Sequence, residues 1–213
     1  MKRRNLVHLA GALAALPLLG RPALAAVDAV EGRNFSVMSQ PQPVSVAGKV
    51  EVIEFFGYWC PHCRAFEPKL DAWVKKLPAD VVFKRVPVAW RPGQESAQRL
   101  FFALEALGAP SGIHEKVFAA VQLQGLALDQ PAAINAFAAA NGLDGAKLSE
   151  AMSGFAVSSK ARMATQVSKA YGVDGVPSLV IQGRFVTSPG TAGGEDAALQ
   201  VADALIRKAK GAR

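Results

Sequence analysis

A nearly continuous apolar run, Val50-Glu51-Val52-Ile53-Glu54-Phe55-Phe56, leads into Cys60-Pro61-His62-Cys63, which holds the only two cysteines among 213 residues. Such a run suits a central strand buried on both faces. Beyond it, Phe66, Leu70, Trp73 and Leu77 recur at helical spacing, so a helix is expected from about Cys60 to Lys76. Pro68 should kink it. The cysteines therefore stand where a strand hands over to a helix. A thiolate is stabilised at a helix N-terminus, and the thiolate is the reactive form of cysteine. A purely structural disulfide closing so short a loop adds only about 2 kcal/mol. The pair reads as redox chemistry.

The N-terminus sets the compartment. Lys2, Arg3 and Arg4 form a basic head, Leu6 to Leu19 an apolar stretch interrupted by His8, and Ala23-Leu24-Ala25 a small-x-small cleavage site. Residues 1–25 read as a secretory signal peptide, too short in its apolar part to span a bilayer. Arg3-Arg4 is also compatible with twin-arginine export, but Sec export is the first expectation. Cleavage removes four basic residues and no acidic ones, so the formal charge falls from +7 to +3. That mild, scattered charge gives no support for nucleic-acid binding. An exported protein meets an oxidising compartment, where disulfides persist.

The rest of the chain alternates in kind. Phe35-Ser36-Val37 and Pro43-Val44-Ser45-Val46 are short extended pieces, and Val81 to Val88 is a further strand. From about Gln94 to Tyr171 the sequence is helix-rich. Segments are expected at 95–107, 112–122, 130–141 and 148–170, the last broken near Gly154, with Asp129 and Pro131 opening the third. Leu100, Phe101, Leu104 and Leu107 read as core. Ser178-Leu179-Val180-Ile181, a Gln182-Gly183 turn and Arg184 to Thr187 form a hairpin. A final helix from about Glu195 to Lys210 turns Leu199, Ala202 and Ile206 to the sheet. The fold class is α/β, a small mixed sheet flanked by helices with a helical block let into it.

A Cys-x-x-Cys at a strand-to-helix junction is a thioredoxin-like motif, and the wider pattern resembles the DsbA-type thiol:disulfide oxidoreductases. The resemblance rests on Ile53-Glu54-Phe55-Phe56 ahead of Cys60-Pro61-His62-Cys63, on Phe66-Glu67 after it, and on the position of the helical block. Gly175-Val176-Pro177 just before the hairpin and Gly183 through Pro189-Gly190 complete it. It implies a thioredoxin fold whose two parts, 26–93 and 172–213, enclose an inserted helical domain at 94–171. It also implies no cofactor beyond the Cys60–Cys63 disulfide, reduced exported polypeptides as clients, and a DsbB-type membrane quinone reductase as reoxidant. Monomer is the default state.

Cys60, first at the helix start and exposed to partner and solvent, is the expected nucleophile, and Cys63 its more buried partner. A helix dipole contributes at most about 2 kcal/mol, whereas three pKa units require about 4. N–H···S hydrogen bonds and His62 are expected to supply the rest, with Pro61 pre-setting the first helical φ. Pro177 is either a strand-starting proline or a cis-proline that sets the Val176 backbone opposite the disulfide, open to a client strand. Glu54, in the buried strand, must be protonated, paired or hydrated, with Arg85 or Lys84 as partner. It is either a proton relay to Cys63 or a hydrated structural acid. Glu67 reads as a surface helix acid, and Trp59 as rim packing or peptide contact.

Four other readings touch parts of the pattern. A zinc module would need more than Cys60, His62, Cys63 and His114, and no metal site is expected. Arg64 after the second cysteine excludes c-type haem attachment. A reductive thioredoxin-like protein is disfavoured by Pro61-His62 and the helical block. A disulfide isomerase is disfavoured because few residues precede the first core strand.

Overall fold

The computed structural model describes residues 27–110 and 112–211. The expected signal peptide at 1–25 lies outside the described residues. Five strands form one mixed sheet in the order β1-β5-β4-β2-β3. They are β1 (Ser36–Val37), β2 (Val50–Phe56), β3 (Val81–Pro87), β4 (Ser178–Ile181) and β5 (Phe185–Thr187). Every residue of β2 is buried. It pairs in parallel with β3, setting Glu54 opposite Arg85, and antiparallel with β4, setting Glu54 opposite Leu179. A parallel neighbour needs a crossover on one face of the sheet, and α1 (Pro61–Val74) supplies it.

Side-chain alternation along β2 divides the core. Val50 and Val52 pack with Phe66 and Leu70 of α1 and with Leu199, Ala202, Leu205 and Ile206 of α8 (Glu195–Gly211). Ile53 and Phe55 face the other way, with Val180 and Val88, against Val167 and Tyr171. Between β3 and β4 run α2 (Glu95–Ala106), α3 (Ile113–Gln122), α4 (Pro131–Ala140), α5 (Gly145–Ser153) and α6 (Phe155–Ala170). Their core of Leu100, Leu104, Val117, Phe118, Phe137 and Leu148 is continuous with Phe56, Tyr58, Cys60 and Cys63. The redox motif thus sits on the seam between the sheet and the helices.

The Gln182-Gly183 turn is realised with positive φ at both residues, 55° and 59°, closed by the Arg184 N–H on the Ile181 carbonyl at 3.1 Å. These are the marks of the type I′ turn that matches strand twist. Gly154 separates α5 from α6, as its sequence position predicts.

Four expectations need correction. Residues 43–46 form no strand, because Pro41 and Pro43 carry no N–H to donate to a ladder. The Gln42 N–H reaches across to the Gly183 carbonyl, and the Ser45 N–H turns to the Glu51 carboxylate instead. Gln130, with Pro131 after it, caps α4, so Asp129 lies one residue outside. Leu107 is 44% exposed at the end of α2 and does not join the core. A one-turn helix, α7 (Pro189–Ala192), capped by Ser188, follows β5 where none was foreseen.

Candidate active site

Cys60 is the N-cap of α1. Its φ and ψ, −89° and 115°, are extended, and its sulfur accepts the Cys63 N–H at 3.3 Å. Pro61 occupies the first helical position, where its missing N–H leaves nothing unsatisfied. His62 is exposed beside it. The Val176–Pro177 peptide is cis, and the Val176 carbonyl accepts from the Cys60 thiol at 3.3 Å. Sequence positions 60 and 176 therefore meet, bringing together all the residues expected around the sulfur.

The expected exposure of Cys60 does not hold. It is 4% exposed, and Cys63 is fully buried. The Val176 carbonyl and the apolar seam cover the sulfur. The two thiols nevertheless differ sharply. Cys60 is held down at about 6, first by a hydrogen bond from the Cys63 thiol, with burial opposing, and then by the backbone N–H groups of Cys63 and His62 and the imidazole of His62. Burial and the neighbouring Cys60 sulfur push the Cys63 thiol far above its ordinary range. The Cys63 thiol is thus the largest stabiliser of the Cys60 thiolate, ahead of the helix terminus and His62, to which sequence reasoning had assigned the shift.

Glu54 lies on the α1 side of the sheet, fully buried. Its Oε2 accepts from Arg85 Nε at 3.1 Å, while Oε1 has no partner. Burial outweighs Arg85 and raises its pKa to about 7. Of the two foreseen partners, Arg85 takes Glu54, and Lys84 instead pairs with Glu51 at 2.8 Å. Glu67 is no surface acid. It is 3% exposed, accepts from Arg85 Nη2 at 2.6 Å, and is raised to about 7 by the same burial. One arginine thus bridges two buried carboxylates, which titrate as a pair.

The helical block closes this cluster. His114 Nδ1 lies 2.7 Å from the Tyr58 hydroxyl, and its Nε2 is 3.5 Å from Glu67 Oε2. Burial, reinforced by Arg85, lowers His114 to about 3, so it is neutral at neutral pH. Burial also pushes the Tyr58 phenol well up, so Tyr58 donates to Nδ1, leaving the imidazole proton on Nε2 towards Glu67. Sequence reasoning missed Tyr58 and misjudged Glu67. Glu67 stands four residues after Cys63, on the same helix face, and that spacing was the available signal. Trp59 packs against Trp90 with ring centroids 5.5 Å apart. A cleft of about 560 Å³ opens between His62, Val176-Pro177 and Ser188-Pro189-Gly190. Among the described residues no three His, Cys, Asp or Glu side chains are grouped to hold a metal ion.

This geometry agrees with the comparisons. Residues 83–205 match the model of the DSBA-like thioredoxin domain, and residues 35–98 that of thioredoxin. The chain is 42% identical over 178 residues to a thiol:disulfide interchange protein DsbA of Burkholderia cepacia, covering 83% of this chain and 84% of the relative. It is 38% identical to that of Pseudomonas aeruginosa PAO1, with 98% of each covered. The crystal structure of Pseudomonas aeruginosa DsbA superposes with a TM-score of 0.81 at 38% identity, over 85% of this chain and 94% of that one. NmDsbA1 of Neisseria meningitidis gives 0.76 at 27% identity, over 85% and 94%. An acidic N-cap thiol beside a partner thiol that keeps its proton suits disulfide exchange, and with this thioredoxin-type sheet and these relatives the chain belongs to the DsbA family of thiol:disulfide interchange proteins.

Proposed function

We propose that this protein disulfide oxidoreductase runs in the oxidising direction, donating its Cys60–Cys63 disulfide to exported polypeptides. The observation that carries the reading is the asymmetry of the thiols. Cys60 is lowered to about 6, while Cys63 is driven high by burial. Stabilising the Cys60 thiolate stabilises the reduced form, which makes the disulfide a stronger oxidant. DsbA proteins are the known case of that relation.

In the first step a client thiolate attacks Cys60 Sγ. The Cys60–Cys63 bond breaks, and its electron pair leaves on Cys63, which takes up a proton. Glu54, protonated near neutral pH on the Cys63 side of the sheet, is the proposed source of that proton. A second client thiolate then attacks the client sulfur of the mixed disulfide, and Cys60 departs as a stabilised thiolate. The client is oxidised by two electrons and the protein reduced by two. Pro61 and His62 tune the leaving sulfur. The backbone at Val176-Pro177, next to the cleft, holds the client as an added strand. No cofactor beyond the disulfide is needed.

The reoxidant is a membrane quinone reductase of the DsbB type, the compartment is the periplasm, and residues 1–25 are the export signal. The working unit is a monomer in which a helical domain, 94–171, is inserted between the thioredoxin parts 26–93 and 172–213. The test is the Cys60–Cys63 equilibrium in glutathione buffers, with thiols trapped for mass readout. A potential at the oxidising end of the family's range supports donation. A potential near that of thioredoxin would make this an exported reductant.

A further inference from the structure

Helix α3 grips the redox loop at two points. Gln122, its last residue, directs its carboxamide Nε2 at the carbonyls of both Tyr58, at 2.8 Å, and Cys60, at 2.9 Å. A carboxamide nitrogen carries two hydrogens, so it serves both acceptors. Two turns earlier on the same helix, His114 accepts the Tyr58 hydroxyl. The loop's own backbone supplies little restraint. Between the end of β2 and the start of α1 its internal bond is the Cys60 N–H on the Gly57 carbonyl, at 2.9 Å.

The Cys60 carbonyl is the sensitive acceptor. It also receives the Arg64 N–H, at 3.2 Å, as the first intrahelical bond of α1. Its direction is set by the Cys60 ψ of 115°. The same torsion sets where the Cys63 N–H lies relative to the Cys60 sulfur, 3.3 Å away. A donor that fixes this carbonyl therefore fixes the cap geometry on which the thiolate depends. The positive end of the carboxamide dipole also lies on the Cys60 side, which favours negative charge there.

We propose that Gln122 is a positioning residue for disulfide transfer, holding the Tyr58 and Cys60 carbonyls so that Cys60 caps α1 as a thiolate and the disulfide is the stronger oxidant. The helical block thereby contributes to redox poise from a residue that does not touch the sulfur. The proposal rests on Cys60 being the attacked sulfur.

The test compares wild type, Gln122→Met and Gln122→Glu. Methionine keeps the length and volume but cannot donate, while glutamate replaces the donor by acceptors. The equilibrium with glutathione is measured for each, with guanidinium unfolding of both the oxidised and the reduced forms. Gln122→Met is expected to shift the exchange equilibrium about fivefold towards the oxidised protein, the worth of one ordinary hydrogen bond lost selectively from the reduced state. Gln122→Glu is expected to shift it further in the same direction. The reduced form should lose more stability than the oxidised form, by the amount of that shift. Equal losses in both redox forms, with exchange equilibria within twofold of wild type, would overturn the proposal and leave Gln122 a structural tie. A wild-type protein poised near thioredoxin would instead overturn the oxidising reading, so the two failures are distinguishable.

Discussion

Replacing Glu54 with glutamine isolates the energetic consequence of burying a carboxylate under the active-site helix. In the folded protein Glu54 is raised from 4.5 to about 7, mainly by burial. The folded state therefore binds the proton more tightly than the unfolded chain does. Its contribution is undiminished below pH 4.5, falls as pH rises through about 7, and changes no further above that. A shift of that size corresponds to roughly 3 kcal/mol lost between the two limits. Glutamine matches the shape of the acid, does not titrate, and leaves Arg85 its 2.6 Å bond to Glu67. Removing one negative charge also lets Glu67 ionise more easily, which acts in the same direction. The assay is guanidinium unfolding of the oxidised protein from pH 4 to pH 8, where the cysteines do not titrate. The readout is the difference between Glu54→Gln and wild type. His114, lowered to about 3, imposes an opposite slope; Glu54 is one of the charges that raise it, but over this range the folded imidazole is neutral in both proteins, so the slope largely cancels in that difference. The stability of Glu54→Gln relative to wild type should rise by about 3 kcal/mol over this range. A difference that stays flat with pH would refute the reasoning, because Glu54 would then be ionised, or hydrated, at no cost.

Three further outcomes are expected. His62→Ala removes the imidazole that helps to hold Cys60 down and should raise the Cys60 titration midpoint by up to roughly one unit, read from thiolate absorbance; an unchanged midpoint would leave the backbone N–H groups and the Cys63 thiol as the whole cause. Cys63→Ala should attack a client disulfide through Cys60, release the client's other sulfur as a thiolate, and accumulate the Cys60–client mixed disulfide, visible by mass, because no Cys63 thiol is present to resolve it, whereas Cys60→Ala should trap none. Gly183→Ala puts a side chain on a residue with φ of 59° and drives its Cβ into the Gln42 carbonyl; the hairpin should lose about 2 kcal/mol or more in denaturant unfolding, and a loss under half of that would mean the loop from Gln42 relaxes freely.

The parts of the protein written in local sequence were legible, and those written across the seam were not. The apolar run of β2, the paired cysteines, the glycine-bearing turn at 182–183 and the break at Gly154 each rest on interactions within a few residues. Their physical causes are backbone torsion and side-chain period, and both can be read along a chain. Glu67 was misjudged because a lone acid on a helix is ordinarily solvated. Its burial comes from Arg85, eighteen residues away on β3, and from His114 in the helical block. The same reasoning offered Arg85 or Lys84 as a partner for Glu54; the parallel register of β2 with β3 selects Arg85, and sequence could not show that one guanidinium serves two carboxylates.

The Cys60 thiolate shows the limit most clearly. The dipole and His62 are local features, and both were foreseen. The largest stabiliser is the Cys63 thiol, which can donate only because burial and the neighbouring sulfur keep its own proton on. That burial is not a property of the Cys-Pro-His-Cys motif. Cys63 belongs to a core shared with Leu100, Phe118 and Phe137, which the helices between β3 and β4 bring to it. A bare thioredoxin-type sheet with the same four residues would leave Cys63 wetter, its proton less firmly held, and the difference between the two sulfurs smaller. The helices between β3 and β4 thus act on the chemistry through desolvation of the second cysteine, independently of any contact they make with a client.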